Sequence, residues 1–186
     1  MLFRSKTVLV AGGAGAVGHY AIELGKHAGA RVITTVSGPQ KAELAAKAGA
    51  DLVVNYREPD AADQISAFAG PGGVDHVVEL ALGANLQLDL DVIRRPEGLI
   101  VDYAAEPADP VLPVRPCMNA NVILRFVLLY SVPPEALDQA ALDITRALGD
   151  GALTELPVTR FPLDEIVAAQ NAVEDGAVGK VLVIPG

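Results

Sequence analysis

A short apolar run that breaks into glycines and passes at once into a helical pattern limits what this chain can become. Thr7-Val-Leu-Val-Ala-Gly-Gly-Ala-Gly-Ala-Val-Gly18 has the form of a strand, a turn and the start of a helix, and Gly13, Gly15 and Gly18 fit the spacing G-x-G-x-x-G. Each glycine in that spacing has a physical reason: a tight turn, close approach of backbone to a pyrophosphate, and close packing of helix on strand. The helix that follows offers its first N–H groups and the positive end of its dipole to an anion. The backbone from Gly13 through Ala14, Gly15, Ala16 and Val17 to Gly18 is therefore the candidate phosphate cradle. The same spacing also occurs in strand-helix turns that hold no ligand, so the rest of the chain has to decide.

Beyond the turn, apolar residues at helical spacing run to Gly29, a C-terminal helix signal, and Arg31-Val-Ile-Thr-Thr-Val36 is a β-branched second strand. An alanine-rich helix is expected over 41–48, and Asp51-Leu-Val-Val-Asn55 reads as a third strand. The alternation continues with a helix over 61–69, a strand over 74–80, a weaker helix over 84–93 and a fifth strand over 98–103. Residues 104–116 are loaded with proline, which removes backbone donors, and read as an irregular loop. Val122-Ile-Leu-Arg-Phe-Val-Leu-Leu-Tyr130 reads as a sixth strand, and an amphipathic helix is expected over 134–148. From Leu156 the texture changes to a short strand, a helix over 163–173 and a closing strand, Lys180-Val-Leu-Val-Ile184. Strands alternating with helices call for an α/β fold: a Rossmann-type, doubly wound, parallel six-stranded sheet with a small C-terminal strand-helix-strand appendage. The expected division is a leader over 1–6, a nucleotide-binding domain over 7–150 and a tail over 151–186 that packs as a unit of its own.

Composition excludes several classes. With 186 residues, half of them hydrophobic and 20% charged, the chain has the profile of one globular domain with an appendage. Its net charge of −9 opposes non-specific binding to nucleic acid or an anionic membrane surface. The longest apolar run, over 122–132, contains Arg125 and falls short of the roughly 20 residues a membrane helix needs. Cys117 is the only cysteine, so there is neither an internal disulfide nor a thiolate cluster for a metal. A reducing, cytoplasmic setting fits, and Met1-Leu-Phe-Arg-Ser-Lys6 is too short and too charged for a signal peptide.

Which nucleotide the turn would take is decided by an acid that is missing. At the end of the second strand, about 20 positions beyond the glycines, an Asp or Glu would accept hydrogen bonds from the ribose hydroxyls of NAD. Here the strand ends Thr35-Val-Ser37, with no acid. A carboxylate would repel a 2′-phosphate, whereas the Ser37 hydroxyl can donate to one. Lys41 can reach the same spot from the start of its helix, and Tyr56, next to Arg57, comes off the end of the third strand. Together Ser37, Lys41 and Tyr56 make a candidate phosphate pocket and point to NADP. Taken singly, Lys41 reads as a solvated helix residue and Tyr56 as a cap on the core; it is the trio that points to a phosphate. The missing acid also counts against a methyltransferase site. The turn lacks the G-K-[ST] ending of a triphosphate loop, and no tyrosine is followed four residues later by the lysine of a short-chain dehydrogenase pair.

Taken together, Val8-Leu-Val-Ala-Gly-Gly-Ala-Gly-Ala-Val-Gly18, Lys47-Ala-Gly-Ala-Asp51, Val54-Asn-Tyr-Arg57 and Gly179-Lys-Val-Leu-Val-Ile-Pro185 resemble the quinone oxidoreductase branch of the medium-chain dehydrogenase/reductase superfamily. The resemblance implies NADPH as cofactor, with Ser37, Lys41 and Tyr56 around its 2′-phosphate. Ala81, Leu82 and Gly83 after the fourth strand, and Ala104 and Ala105 after the fifth, would line its nicotinamide side. It implies hydride transfer to a quinone, enone or related small carbonyl compound, and a homodimer paired through the edge strand that ends at Tyr130. It also implies an N-terminal catalytic domain, where the zinc of the alcohol dehydrogenase branch would sit. Only Met1 to Lys6 precede the first strand here, so the chain is read as part of a longer enzyme, with a natural short protein as the other possibility. No catalytic acid and no metal ligand stand out. His19, behind the phosphate turn, reads as a phosphate donor or as a packed residue, and His76 as structural. Glu79, Asp102 and Tyr103 fall near the expected nicotinamide. A dinucleotide-binding or sensing module without turnover is the alternative function.

Overall fold

The computed structural model describes residues 4–105 and 109–186 of the chain. Strands β1 (Thr7–Val10), β2 (Arg31–Val36), β3 (Leu52–Asn55), β4 (His76–Glu79), β5 (Leu99–Asp102) and β6 (Ile123–Phe126) form one parallel sheet in the order β3-β2-β1-β4-β5-β6. Between them run α1 (Ala16–His27), α2 (Pro39–Lys47), α3 (Ala61–Ala69), α4 (Leu82–Val92) and α5 (Val114–Ala120). The winding reverses where β1 adjoins both β2 and β4, with Val8 in register with Val32 on one side and His76 on the other. In open parallel sheets that reversal leaves a crevice at the carboxyl ends of the strands, the usual place for a ligand.

Side chains on a strand alternate between the two faces of the sheet, and this alternation builds two cores. Val8, Val10, Val32 and Val36 meet Ile22 of α1 and Ala45 of α2 on one face. Leu9, Ile33, Val77 and Ile100 meet Ile65 of α3 and Leu86 and Leu90 of α4 on the other. Burial on both faces is why β2 reads as an unbroken β-branched run: every residue after Arg31 is buried. At the amino end of the sheet, Asp75 ties the strands together. Its carboxylate accepts bonds from the Thr7 N–H, Lys6 Nζ and Arg94 Nη1, each at 2.9 Å. Partial burial would push that carboxyl up; the three donors outweigh it and leave it below the usual range.

Three elements differ from the sequence reading. The proline-loaded stretch runs into α5, with Pro113 at its N-cap and Pro116 in its first turn. Proline is tolerated there because the first N–H groups of a helix have no intrahelical acceptor. Residues 106–108 of the same stretch lie outside the described residues. The sixth strand is shorter than the apolar run: it covers Ile123–Phe126, and Leu129–Ser131 turn as a 3₁₀ segment ahead of Pro133 and Pro134. The fourth strand begins at His76, with Val74 making only an isolated bridge to Ile93.

After α6 (Pro134–Gly149) the tail forms β7 (Val158–Pro162), a 3₁₀ turn (Leu163–Glu165), α7 (Ile166–Glu174) and β8 (Lys180–Ile184). β7 and β8 pair in parallel, from Val158 with Lys180 to Pro162 with Ile184, as a two-stranded sheet separate from the first. Side-chain bonds nevertheless tie the tail and its approach to α1. Lys180 Nζ donates to the Tyr20 hydroxyl at 2.9 Å, and the Thr154 N–H donates to the Glu23 carboxylate at 3.1 Å.

Candidate functional site

The turn between β1 and α1 is made by a different glycine from the one the motif suggests. Gly12, with φ of +65°, takes the left-handed conformation, which side chains disfavour. Gly13 is a packing position instead: a Cβ there would stand 2.0 Å from Thr34 Oγ1, whose hydroxyl donates to the Val10 carbonyl at 2.7 Å. Gly15 is the N-cap of α1, and its N–H donates to the Gly12 carbonyl at 2.9 Å. Gly18 packs the helix onto the turn, since a Cβ there would meet the Gly12 carbonyl oxygen at 2.4 Å. Ala16 and Val17 are exposed in the first helical turn, where N–H groups have no intrahelical acceptor.

A groove of about 400 Å³ runs over this turn along the carboxyl ends of the strands. Gly12, Ala14 and Gly15 form its floor; Ser37, Lys41 and Tyr56 form one end; Leu80, Ala81 and Asn85 lead to the other. The three residues singled out for a phosphate thus share one wall. Arg57 Nη1 donates to the Ser37 carbonyl at 3.3 Å, and its guanidinium carbon stands 5.8 Å from the centre of the Tyr56 ring. No carboxylate among the described residues pairs with Lys41. The groove therefore ends in donors and a cation, with backbone and small side chains along its length. An elongated anion with phosphates at its middle and at one end fits these residues, as NADP is built.

Leu82 and Ala104 belong to a second cleft of about 490 Å³, on the same sheet edge beyond Ala81. Ala105, Leu86, Tyr103 and the carboxyl end of β6 at Phe126 complete much of its wall, which is mainly apolar. Of the residues expected at the site, Ala14, Gly15, Ser37, Lys41, Tyr56 and Ala81 come together in the groove, and Leu82 and Ala104 in the cleft. Gly13, Ala16, Val17, Gly18 and Gly83 line neither. The sequence reading missed Gly12, Asn85 and the turn after α7. Gly176 and Ala177 of that turn close the phosphate end of the groove, and a Cβ on Gly176 would stand 3.7 Å from Lys41 Nζ. Gly12 was legible as the glycine preceding the motif; nothing local to Gly176 announces Lys41 as its neighbour.

The polar side chains around the groove have distinct surroundings. His19 is buried, its Nε2 3.2 Å from Thr154 Oγ1 and 3.2 Å from Glu23 Oε1. The structure gives it a packing role between α1 and the approach to the tail. His76 lies at the amino end of β4, away from the groove, and burial first, then the charge of Lys6, lowers its pKa despite the opposing pull of Asp75. Glu79 is fully buried, and its Oε1 accepts bonds from the Leu80 and Ala81 N–H groups, both at 2.7 Å, and from Asn85 Nδ2 at 2.9 Å. Tyr103 is half-buried; burial, then the charges of Glu79 and Asp102, raises its hydroxyl. Among the described residues no three His, Cys, Asp or Glu side chains converge as a metal site would require. No helix among the described residues is long and apolar enough to cross a membrane.

Comparison with known proteins agrees with this geometry. Residues 16–146 match the family model described as "Zinc-binding dehydrogenase". The 2-haloacrylate reductase of a Burkholderia species is 31% identical over 184 residues, which cover 96% of this chain and 55% of that protein. Human quinone oxidoreductase is 25% identical over 181 residues, covering 96% of this chain and 54% of that one. The structure of Escherichia coli quinone oxidoreductase complexed with NADPH superposes with a TM-score of 0.87 at 26% identity, over 98% of this chain and 58% of that one. The chain thus spans about half the length of the curated relatives it matches. The family match, the strand order and the glycine turn agree: this chain belongs to the zinc-binding dehydrogenase family, within the medium-chain dehydrogenase/reductase superfamily.

Proposed function

We propose that the groove binds NADPH, and that the protein of which this chain forms the nucleotide-binding part transfers hydride from it to a quinone, an enone or a similarly electron-poor small molecule. One observation carries the reading: β2 ends at Ser37 without an acid, and Ser37, Lys41 and Tyr56 share one end of a groove whose floor is the Gly12–Gly15 turn. The Ser37 hydroxyl and the Lys41 ammonium hold the 2′-phosphate, Tyr56 lies alongside, and the first-turn N–H groups of α1 hold the pyrophosphate. Ala81 and Ala104, being small, leave room for the nicotinamide, and the apolar cleft beyond them takes an apolar substrate. When bound, the cofactor supplies the hydride; the residues of this chain bind and orient it. The E. coli neighbour was solved with NADPH, and the names of the Burkholderia and human relatives, a haloacrylate reductase and a quinone oxidoreductase, support the substrate class.

The same reading sets the protein in a reducing cytoplasm, as a homodimer paired through the edge of β6. Because the chain spans about half of its relatives' length, it can by itself bind the cofactor without turnover, which is the second reading. Fluorescence of NADPH on mixing, followed by its oxidation after addition of a quinone or a haloacrylate, tests both. Enhancement followed by oxidation is expected of the enzyme, and enhancement alone of a binding module; no enhancement removes the NADPH site.

A further inference from the structure

The alternation that puts Val77 on the face covered by α3 and α4 puts Glu79 there too, so the last residue of β4 is a carboxyl group turned into the core. Asp89 of α4 lies against it. Glu79 is 0% exposed and Asp89 1%. Glu79 Oε1 is occupied by three donors: the Leu80 N–H, the Ala81 N–H and Asn85 Nδ2. Glu79 Oε2 and Asp89 Oδ2 are both buried, and neither receives a bond from any N–H or O–H group among the described residues. Two carboxyl groups in contact in a dry site cannot both be charged, and a proton held between them would satisfy an oxygen of each. Asp89 lies close enough to Glu79 for the two carboxyl groups to interact, and a bond between them requires that one be a carboxylic acid.

We propose that Asp89 is a positioning residue: it holds one proton, donates it to Glu79 Oε2, and by doing so keeps Glu79 Oε1 gripping the turn over residues 80–85 at the nicotinamide end of the groove. Leu80, Ala81 and Asn85, all held by Glu79, line the groove itself, so the proton sits one bond removed from the cofactor site. The inference rests on the NADPH reading of that groove.

Every charged group acting on Asp89 is acidic: Glu79 from β4 and Asp102 from the end of β5. Tyr103 stands beside both of those acids. The helices flanking α4 bring apolar neighbours, Ile65 and Phe68 from α3 and Ala120 from α5, along with the half-buried thiol of Cys117. Burial first, and then the two acids, pushes the Asp89 carboxyl up to about 8. The grip on the turn is accordingly complete at neutral pH and fails in mildly alkaline solution, when a second negative charge enters the site.

The test is the dissociation constant of NADPH between pH 6 and 9.5 for the wild type, D89N and D89L, with the protection of the Leu80 and Ala81 amides against hydrogen exchange measured without cofactor. The side-chain amide that D89N introduces would donate to Glu79 without titrating. Wild-type affinity is expected to fall about tenfold for each pH unit above about 8, the limit for loss of one proton. D89N is expected to be flat over that range, and D89L, which leaves Glu79 Oε2 unpaired, weaker throughout. Amide protection should follow the same pattern. Identical pH profiles in wild type and D89N, or equal protection of both amides in all three proteins, would overturn the proposal. If the wild type fails to bind NADPH at pH 6.5, the NADPH reading falls, and the amide protection, which needs no cofactor, decides the role of Asp89 alone.

Discussion

At the scale of single residues, the site rests on the absence of side chains as much as on their presence. Gly18 is the sharpest case: a methyl group there meets the Gly12 carbonyl oxygen at 2.4 Å, so the helix or the turn must shift. G18A is expected to lose about 1–3 kcal/mol of stability by overpacking and to weaken NADPH binding more than tenfold, read by thermal unfolding and by nucleotide fluorescence. Unchanged binding would show that the turn does not hold the pyrophosphate. Much of this was legible in one dimension, because glycine spacing encodes a backbone constraint and the lack of an acid at Ser37 is a local fact. What escaped was set by contacts distant along the chain. Gly12 rather than Gly13 carries the left-handed conformation, and Gly13 is small because Thr34 of β2 lies against it. Asp89 reads in sequence as one more polar residue of α4; only its burial against Glu79 suggests the role proposed for it.

At the scale of elements, strands and helices were readable wherever burial was two-sided and continuous, as in β2, and less so where proline interfered. α5 escaped because its prolines fall at the cap and in the first turn, where they do not break a helix. β6 was overestimated because an apolar run carries no mark of where strand gives way to turn. Apolar residues of the strand and of the turn after it are nonetheless exposed: Phe126 is 67% accessible, Leu128 63% and Tyr130 93%. β6 pairs with β5 on one side only, leaving an edge that natural sheets cover or blunt. Pairing through that edge in a two-fold dimer predicts that F126K is monomeric by light scattering at a concentration where the wild type is dimeric, with an unchanged far-ultraviolet spectrum. A wild-type monomer at micromolar concentration would contradict the dimer reading. The tail and its approach are fastened to α1 by Lys180 with Tyr20 and by Thr154 with Glu23 and His19, which ties the last strand to the helix behind the phosphate turn.

At the scale of the whole molecule, the surface is larger than a chain of this size needs. It exposes 11209 Å², against about 8,400 Å² for a compact monomer of the same mass. Exposed apolar side chains on α6, α7 and β8, among them Leu142, Leu148, Val167 and Ile184, contribute to it. We propose that the faces of α7 and β8 in the tail pack against the N-terminal catalytic domain that the family resemblance implies. The raised Asp89 carboxyl also has a global consequence. Its folded-state value of about 8 exceeds its usual 3.8, so between these values the folded protein holds one proton that the unfolded chain releases. Its contribution to stability is full below about pH 4 and is lost as pH rises toward 8, at up to about 1.4 kcal/mol per unit. Denaturant unfolding of wild type and D89N should therefore show a difference that widens as pH rises over that interval and levels off above it; parallel curves would exclude a buried neutral acid.

The account turns on the phosphate end of the groove, and calorimetric titration of the protein with NADPH and NADH at one salt concentration tests it most directly. Charged hydrogen bonds from Ser37 and Lys41 are expected to make NADPH bind at least about tenfold more tightly, with most of that preference lost in K41A. Equal affinities of the wild type for the two nucleotides would contradict the assignment of Ser37, Lys41 and Tyr56 to a 2′-phosphate.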